Sequence, residues 1–337
     1  MDHHHHHFLE KLQVQLAAVA ALVVVYLAVG PVLGWWDPQW PTIFVPSASF
    51  AQLAGFAGII WVLAAACALV TVSSRPEGAL LAALLGAAGV SLHSAPMRVA
   101  LWRYEEGQGV LFALLIGEVV LLAVVLSAAE LVVYIVRSGM AHCRPGWMWP
   151  GRVPPAGWRA GGGVGSDVPR LASAGFRAIL VQAWSALKTG GDSESASRRG
   201  RANGRMLVES LSCLGLVVLI ASVALMLLMK SVDRGQVLFA LFASFLLGVV
   251  VAHQKFPTPF GVAAWASPMA TAVLFYLLAI VTAVDYEVNA WMHVHFYARA
   301  LPVDWLTAGG GGAVLGFWIS ERIHEFRHLE SHKSAEE

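Results

Sequence analysis

Charged residues and cysteines are both scarce in this chain of 337 residues. Asp, Glu, Lys and Arg together make up only 13% of the sequence, whereas an ordinary soluble domain contains about 25%. The three cysteines, Cys67, Cys143 and Cys213, form no C-x-x-C pair, which argues against a disulfide framework. The low charge argues against a soluble protein, because long stretches of the chain have no polar face at all.

Hydrophobic residues are correspondingly abundant and account for 58% of the chain. They occur in runs long enough to cross a bilayer as helices. Because the runs lack the alternating pattern of membrane β-strands, we predict an all-α, polytopic helical bundle in the membrane. We expect about eight transmembrane helices, with a range of about seven to nine, over residues 12–34, 50–72, 78–93, 109–136, 206–229, 235–252, 262–284 and 305–320.

The distribution of basic residues predicts the orientation of the bundle. If the N-terminus faces the cytoplasm, the Lys and Arg residues on the outer side are only Arg98, Arg103, Lys230, Arg234 and Arg299. Cytoplasmic loops of membrane proteins carry an excess of Lys and Arg. We therefore predict that both termini are cytoplasmic, and we expect the protein in the inner membrane of a bacterium.

A polar segment divides the predicted spans into two sets of four. Residues 1–137 form the first membrane half, residues 206–320 the second half, and residues 321–337 a cytoplasmic tail rich in His and Glu. Residues 138–205 between the halves form a basic linker rich in Gly and Pro. These two residue types disfavour a regular helix, so we expect only part of the linker to be ordered.

One part of the linker, residues 168–188, has the period of an amphipathic helix. Arg170, Arg177 and Lys188 share its basic face. This pattern predicts a helix at the surface of the lipid bilayer, attracted by anionic lipids of the inner leaflet. Packing across the cytoplasmic ends of the spans is the alternative. We do not expect nucleic acid as a partner, because the basic residues are interspersed with Trp and Pro beside a membrane.

Two glutamates interrupt the longest apolar run and are candidate transport residues. Glu118 lies in its outer half, and Glu130 lies nearer the basic cytoplasmic end. A carboxylate in a span is costly, so it should face protein or water rather than lipid. Glu118 could serve as a proton or cation relay, or it could be protonated and join two helices through a hydrogen bond. The sequence offers no second intramembrane carboxylate at comparable depth to complete a relay.

The C-terminal tail carries a candidate metal site. His324, Glu325 and His328 match the H-E-x-x-H spacing of zinc proteases, in which the histidines bind zinc and the glutamate acts as general base. On a helix, five side chains would form one stripe that could bind zinc or another divalent metal: Glu321, His324, Glu325, His328 and His332. A catalytic site would also need a third ligand, for which His253 and His142 are the candidates.

The last predicted span contains a run of glycines, Gly309 to Gly312, followed by Gly316. Small residues at the spacing of Gly312 and Gly316 allow two helix backbones to approach closely in a membrane. This pattern favours helix packing over contact with a flat cofactor.

These features leave three functional hypotheses. The one we favour is a transporter or channel-like carrier of a small solute or ion, in which Glu118 takes part. The second is a non-catalytic scaffold or assembly subunit, which forms a homo-oligomer or binds a partner in a membrane complex. The third is a membrane metalloenzyme that uses residues 324–328.

Overall fold

The computed structural model describes residues 2–29, 41–47, 50–71, 76–104, 107–143, 194–258, 262–282 and 294–336. Within these ranges the regular elements are all helical, and no strand occurs among them. The helices are α1 (Asp2–Val24, continued by a π-helical turn, Val25–Val29), α2 (Phe50–Val70), α3 (Pro76–His93), α4 (Met97–Arg103), α5 (Gln108–Cys143), α6 (Glu194–Leu228), α7 (Arg234–Lys255), α8 (Val262–Thr282), α9 (Pro302–Asp304) and α10 (Gly310–Glu336). A short 3₁₀ helix (Phe296–Ala298) precedes α9, and a π-helical turn (Trp305–Gly309) joins α9 to α10.

Five of these helices are long and apolar enough to cross a membrane. Their apolar parts are Phe50–Val70, Gln108–Met140, Val208–Leu228, Arg234–Lys255 and Ala263–Thr282. The apolar parts of α1 and α3, Leu12–Ala28 and Glu77–His93, are shorter. The prediction of an all-α fold is therefore confirmed within the described ranges. Five helices that could span a membrane by length and composition are consistent with the predicted membrane protein.

The last helix passes through the middle of the bundle. Residues 301–314 are all buried, and α10 packs against α3, α7 and α8. A Cβ atom on Gly312 would overlap the carbonyl oxygen of Phe242, and one on Gly316 would lie 2.6 Å from the carbonyl oxygen of Leu246. Both oxygens belong to α7. The glycines therefore let the backbones of α7 and α10 touch, which is the packing that their spacing predicts.

The two membrane halves pack their helices in different orders. In the first half, α3 packs against α1 and α2, and α2 also packs against α5. In the second half, α7 packs against α6 and α10, and α8 packs against the same two helices. Contacts of α5 with α8 and of α3 with α10 join the halves. The described helices of the two halves are therefore paired differently.

Both ends of the segment predicted as a linker, residues 138–205, are helical in the structure. Helix α5 continues to Cys143, and α6 begins at Glu194, so both helices extend into the segment predicted as a linker. The predicted amphipathic helix at 168–188, with Arg170, Arg177 and Lys188, lies outside the described residues.

Candidate functional site

A short non-helical segment, residues 41–47, packs into one end of the bundle. Phe44 is buried there, with its ring centroid 5.4 Å from that of Phe56 on α2. The backbone N–H of Thr42 donates to the Ser94 hydroxyl at 2.7 Å. Irregular backbone is tolerated within a membrane protein only where its polar groups find partners in protein or water. The buried N–H groups that follow Thr42 therefore need acceptors.

Glu118 on α5 supplies these acceptors. Its Oε2 accepts hydrogen bonds from the backbone N–H groups of Phe44 at 2.8 Å and Val45 at 3.0 Å. The side chain is completely buried. Its other oxygen, Oε1, is also buried and has no hydrogen-bond partner among the described residues. Glu118 thus anchors the segment with one oxygen and leaves the second available to hold a proton or to accept a further hydrogen bond.

A second buried carboxylate lies at the same end of the bundle and is paired with an arginine. Asp304 is fully buried. Its two oxygens accept hydrogen bonds from Arg234, one from Nη1 at 2.6 Å and one from Nη2 at 2.5 Å. The backbone N–H of Leu301 also donates to Asp304, at 2.8 Å. A bidentate Arg–carboxylate pair of this kind fixes the geometry of both groups.

The same arginine joins the two membrane halves. Arg234 lies at the start of α7, and its Nη2 donates to the carbonyl oxygen of Ser91 at 2.6 Å. Ser91 belongs to α3 in the first half, and its hydroxyl lies 3.0 Å from that of Thr307 in the second half. Since the last carbonyls of a helix lack partners within the helix, an arginine is a suitable donor for them.

Tyr276 on α8 is a further buried polar residue, close enough to both carboxylates to be affected by their charge. It is fully buried, and its hydroxyl donates to the carbonyl oxygen of Ala300 at 2.7 Å. Asp304 and Glu118 are both within electrostatic range of it, and so is Arg234. The site therefore consists of Glu118, Tyr276 and the Arg234–Asp304 pair, contributed by both halves of the bundle.

Three of the four residues of this site, Tyr276, Arg234 and Asp304, were not predicted from the sequence. The sequence predicts Arg234 on the outer side and offers no second intramembrane carboxylate at the depth of Glu118, so it does not single out Asp304. In the structure Asp304 is as fully buried as Glu118. A signal was present in the sequence, because Pro302 and Asp304 form the first turn of a helix, a position that favours both residue types. Nothing in the sequence indicated that Arg234 would reach it.

Glu130 lies apart from this site, as the sequence analysis inferred. It is only partly buried, and Glu77 on α3 lies within electrostatic range. Further along the same helix, Arg137 donates hydrogen bonds to Thr71, with 2.9 Å to the carbonyl oxygen and 3.3 Å to the hydroxyl. The candidate transport role of Glu130 stays a prediction.

The candidate metal site at the tail is described only in part. Helix α10 runs through the motif, but the side chains of Glu325, His328 and His332 lie outside the described part of the chain. Glu321 and His324 are half-buried, and His324 Nε2 lies 3.4 Å from the carbonyl oxygen of His253. In the ranges described, no three His, Cys, Asp or Glu side chains are grouped so that they could hold a metal ion.

His142 and His253 are the two candidates for a third metal ligand. The side chain of His142 lies outside the described part of the chain. His253 is buried, and both its ring nitrogens have partners, Nδ1 at 2.9 Å from the Ser320 hydroxyl and Nε2 at 3.0 Å from the carbonyl oxygen of Thr258. A carbonyl can only accept, so Nε2 donates to it. In this arrangement His253 is a structural histidine, and zinc binding by the tail stays a prediction.

Comparisons with known proteins give no match: no family model fits the chain, and no curated protein and no solved structure is similar to it.

Proposed function

We propose that the protein is a multi-pass carrier in the inner membrane of a bacterium, and that it moves protons through the junction between its two halves. In this proposal eight helices cross the membrane and both termini face the cytoplasm. The five long apolar helices and the bias of Lys and Arg towards one side support this arrangement. Glu118 is then in the outer half of the membrane, near the Arg234–Asp304 pair.

The observation that carries the proposal is the free oxygen of a fully buried carboxylate. Glu118 Oε1 has no hydrogen-bond partner among the described residues, although Oε2 has two. Ionisable groups inside a membrane are costly and are retained mainly on substrate, ion or proton pathways. A proton can bind at Oε1 and leave again without breaking the two hydrogen bonds that fix the side chain. Tyr276 and Asp304 provide further polar groups nearby.

Proton flux into liposomes tests this proposal. The purified full chain is reconstituted with a pH-sensitive dye inside, and a potassium diffusion potential set by valinomycin drives protons inwards. We expect flux above that of protein-free liposomes, and we expect Glu118→Gln to reduce it about a hundredfold or more, the scale on which a positioned proton-transfer group acts. Glutamine keeps a carbonyl oxygen for the N–H groups of Phe44 and Val45, so the fold should persist.

Glu130→Gln is the matched control, because it changes the other intramembrane glutamate of the same helix. We expect this variant to keep its flux if Glu118 alone carries the proton, whereas a comparable loss would support the transport role that the sequence predicts for Glu130. Flux no greater than in protein-free liposomes would overturn the carrier proposal. Equal flux in the Glu118→Gln variant would show that Glu118 does not carry the proton.

A scaffold function is the second candidate, and one observation favours it. Both hydrogen bonds of Glu118 go to residues 44 and 45 of the same chain, so the side chain already has a structural task. In that case the Glu118→Gln variant would fold and assemble as the unaltered protein does, and neither would conduct protons. The metalloenzyme hypothesis lacks a comparable observation in the described part of the molecule.

A further inference from the structure

A cavity of about 460 Å³ lies beside the turn that joins α6 to α7. Two cationic side chains line it, Lys230 and Arg299, together with His295 and the apolar side chains of Met226 and Phe296. Lys230 comes two residues after the end of the membrane-spanning part of α6, Val208–Leu228. The cavity is thus at the level where a span leaves the hydrocarbon, which is the level of lipid head groups.

Both cations are held in place by carbonyl oxygens at or near the end of α6. Lys230 Nζ donates to the carbonyl oxygen of Met226 at 3.0 Å, and Arg299 Nη1 donates to that of Met229 at 2.6 Å. Arg299 Nε donates to the carbonyl oxygen of Val294 at 2.9 Å. These contacts satisfy helix-terminal carbonyls, a structural role that basic side chains often have. They also fix two positive groups on the wall of one cavity.

The positive charge of the cavity is not neutralised by the described part of the chain. Among those residues, no carboxylate forms an ion pair with Lys230 or Arg299, and the second Nη of Arg299 has no hydrogen-bond partner. Burial lowers the pKa of the Arg299 guanidinium from its usual value, because the charged form loses contact with water. An anion in the cavity would offset this loss.

An apolar strip leads from the membrane to the cavity. Leu219, Val223, Met226 and Leu227 on α6 are all exposed. Their spacing of four, three and one residues places them on one side of the helix. Met226 belongs both to this strip and to the cavity wall. A ligand with a negative head and a long apolar tail would therefore match the whole surface.

We propose that this cavity binds the phosphate head group of an anionic phospholipid, whose acyl chain lies along the exposed strip of α6. Phosphate oxygens would accept charge-assisted hydrogen bonds from Lys230 Nζ and the second Nη of Arg299. Basic pockets between membrane helices are suited to such head groups. This site does not include residues 168–188, the segment whose sequence predicts contact with anionic lipids, and it does not depend on proton transport.

Lipid retention in native mass spectrometry tests the proposal. The full chain in detergent is mixed with equal amounts of phosphatidylglycerol and phosphatidylcholine, which differ in head-group charge. We expect the anionic lipid to be retained preferentially. Lys230→Gln should weaken this preference about fivefold, and Lys230→Glu should weaken it further, since each cation near a membrane surface contributes on this scale.

Three further variants separate binding from folding. Arg299→Lys keeps the positive charge and should retain most of the preference, whereas Arg299→Gln should lose it. Arg98→Gln removes an exposed cation at the same end of the bundle but outside the cavity, so it should have no effect. Because Lys230 is itself exposed, its variants should unfold at the same temperature as the unaltered protein.

Three results would overturn the proposal. Equal retention of the two lipids would show that the cavity does not select a negative head group. An unchanged preference in both Lys230 variants would place the lipid elsewhere. Displacement of the anionic lipid by millimolar inorganic phosphate would show that the cavity binds a free anion and that the apolar strip contributes nothing.

Discussion

Glu118 and Glu130 are the same residue type on the same helix, yet their surroundings differ. Glu118 is fully buried, and one of its oxygens accepts two backbone hydrogen bonds from residues 44 and 45. Glu130 is only partly buried, makes no hydrogen bond within the described part of the chain, and lies within electrostatic range of a second acid, Glu77. In sequence both are simply glutamates in an apolar run.

The difference shows that a carboxylate in a membrane helix is defined by its neighbours in space. Without partners, a buried charge is strongly disfavoured, and hydrogen bonds to backbone N–H groups reduce this cost. Asp304 extends the comparison, since it has an arginine and a backbone N–H as partners. Removal of the acid should therefore lower the free energy of unfolding most at Asp304, less at Glu118 and least at Glu130.

The largest effect is expected at Asp304. Asp304→Ala would leave Arg234 mostly buried without its counter-charge, and breaking a buried ion pair costs about 3–5 kcal/mol. The free energy of unfolding in detergent, measured by chemical denaturation, checks this value. The double variant Arg234→Leu/Asp304→Leu is the control and should lose less, because no unpaired charge remains. A fully stable Asp304→Ala variant would contradict the pairing.

A smaller loss is expected at Glu118. Glu118→Leu would leave the buried N–H group of Phe44 without an acceptor, at a cost of about 1–3 kcal/mol, and the half-buried N–H group of Val45 at a smaller cost. The same unfolding measurement applies, and protease sensitivity within residues 41–47 should rise in parallel. If both quantities stay unchanged, the anchor role of Glu118 is wrong.

Glu118→Gln should have a lesser effect than the leucine variant. The amide oxygen can still accept from Phe44 and Val45, and the remaining loss, about 1–3 kcal/mol, comes from the amide NH₂ group that replaces Oε1, which has no hydrogen-bond partner among the described residues. The difference between the Gln and Leu variants in unfolding free energy isolates the contribution of the acceptor. Equal losses in the two variants would mean that side-chain shape, and not hydrogen bonding, fixes this position.

The smallest effect is expected at Glu130. Glu130→Leu removes a carboxylate that lies near Glu77 and has no hydrogen bond among the described residues, so stability should change by about 0.5 kcal/mol or less. Thermal unfolding of this variant beside Glu118→Leu provides the direct comparison. A loss as large as that of Glu118→Leu would contradict the distinction between the two positions.

Several features of the molecule follow from local sequence alone. Long apolar runs without alternation predict membrane helices, because each run satisfies its own backbone hydrogen bonds and needs only lipid or protein around it. The spacing of Gly312 and Gly316 likewise predicts a close helix contact, since the missing side chains are a local property. The cost of a carboxylate in lipid was enough to select Glu118 as a residue that must face protein.

The partners of these groups were decided only by the tertiary structure. Arg234 and Asp304 are 70 residues apart in sequence, and Glu118 and Phe44 are 74 apart. Whether such residues meet depends on which helices become neighbours, and apolar helices of similar length and composition carry little information about this choice. The sequence therefore determined that the chain forms a bundle of long apolar helices with a buried acid, while helix packing determined which donors and which second carboxylate surround it.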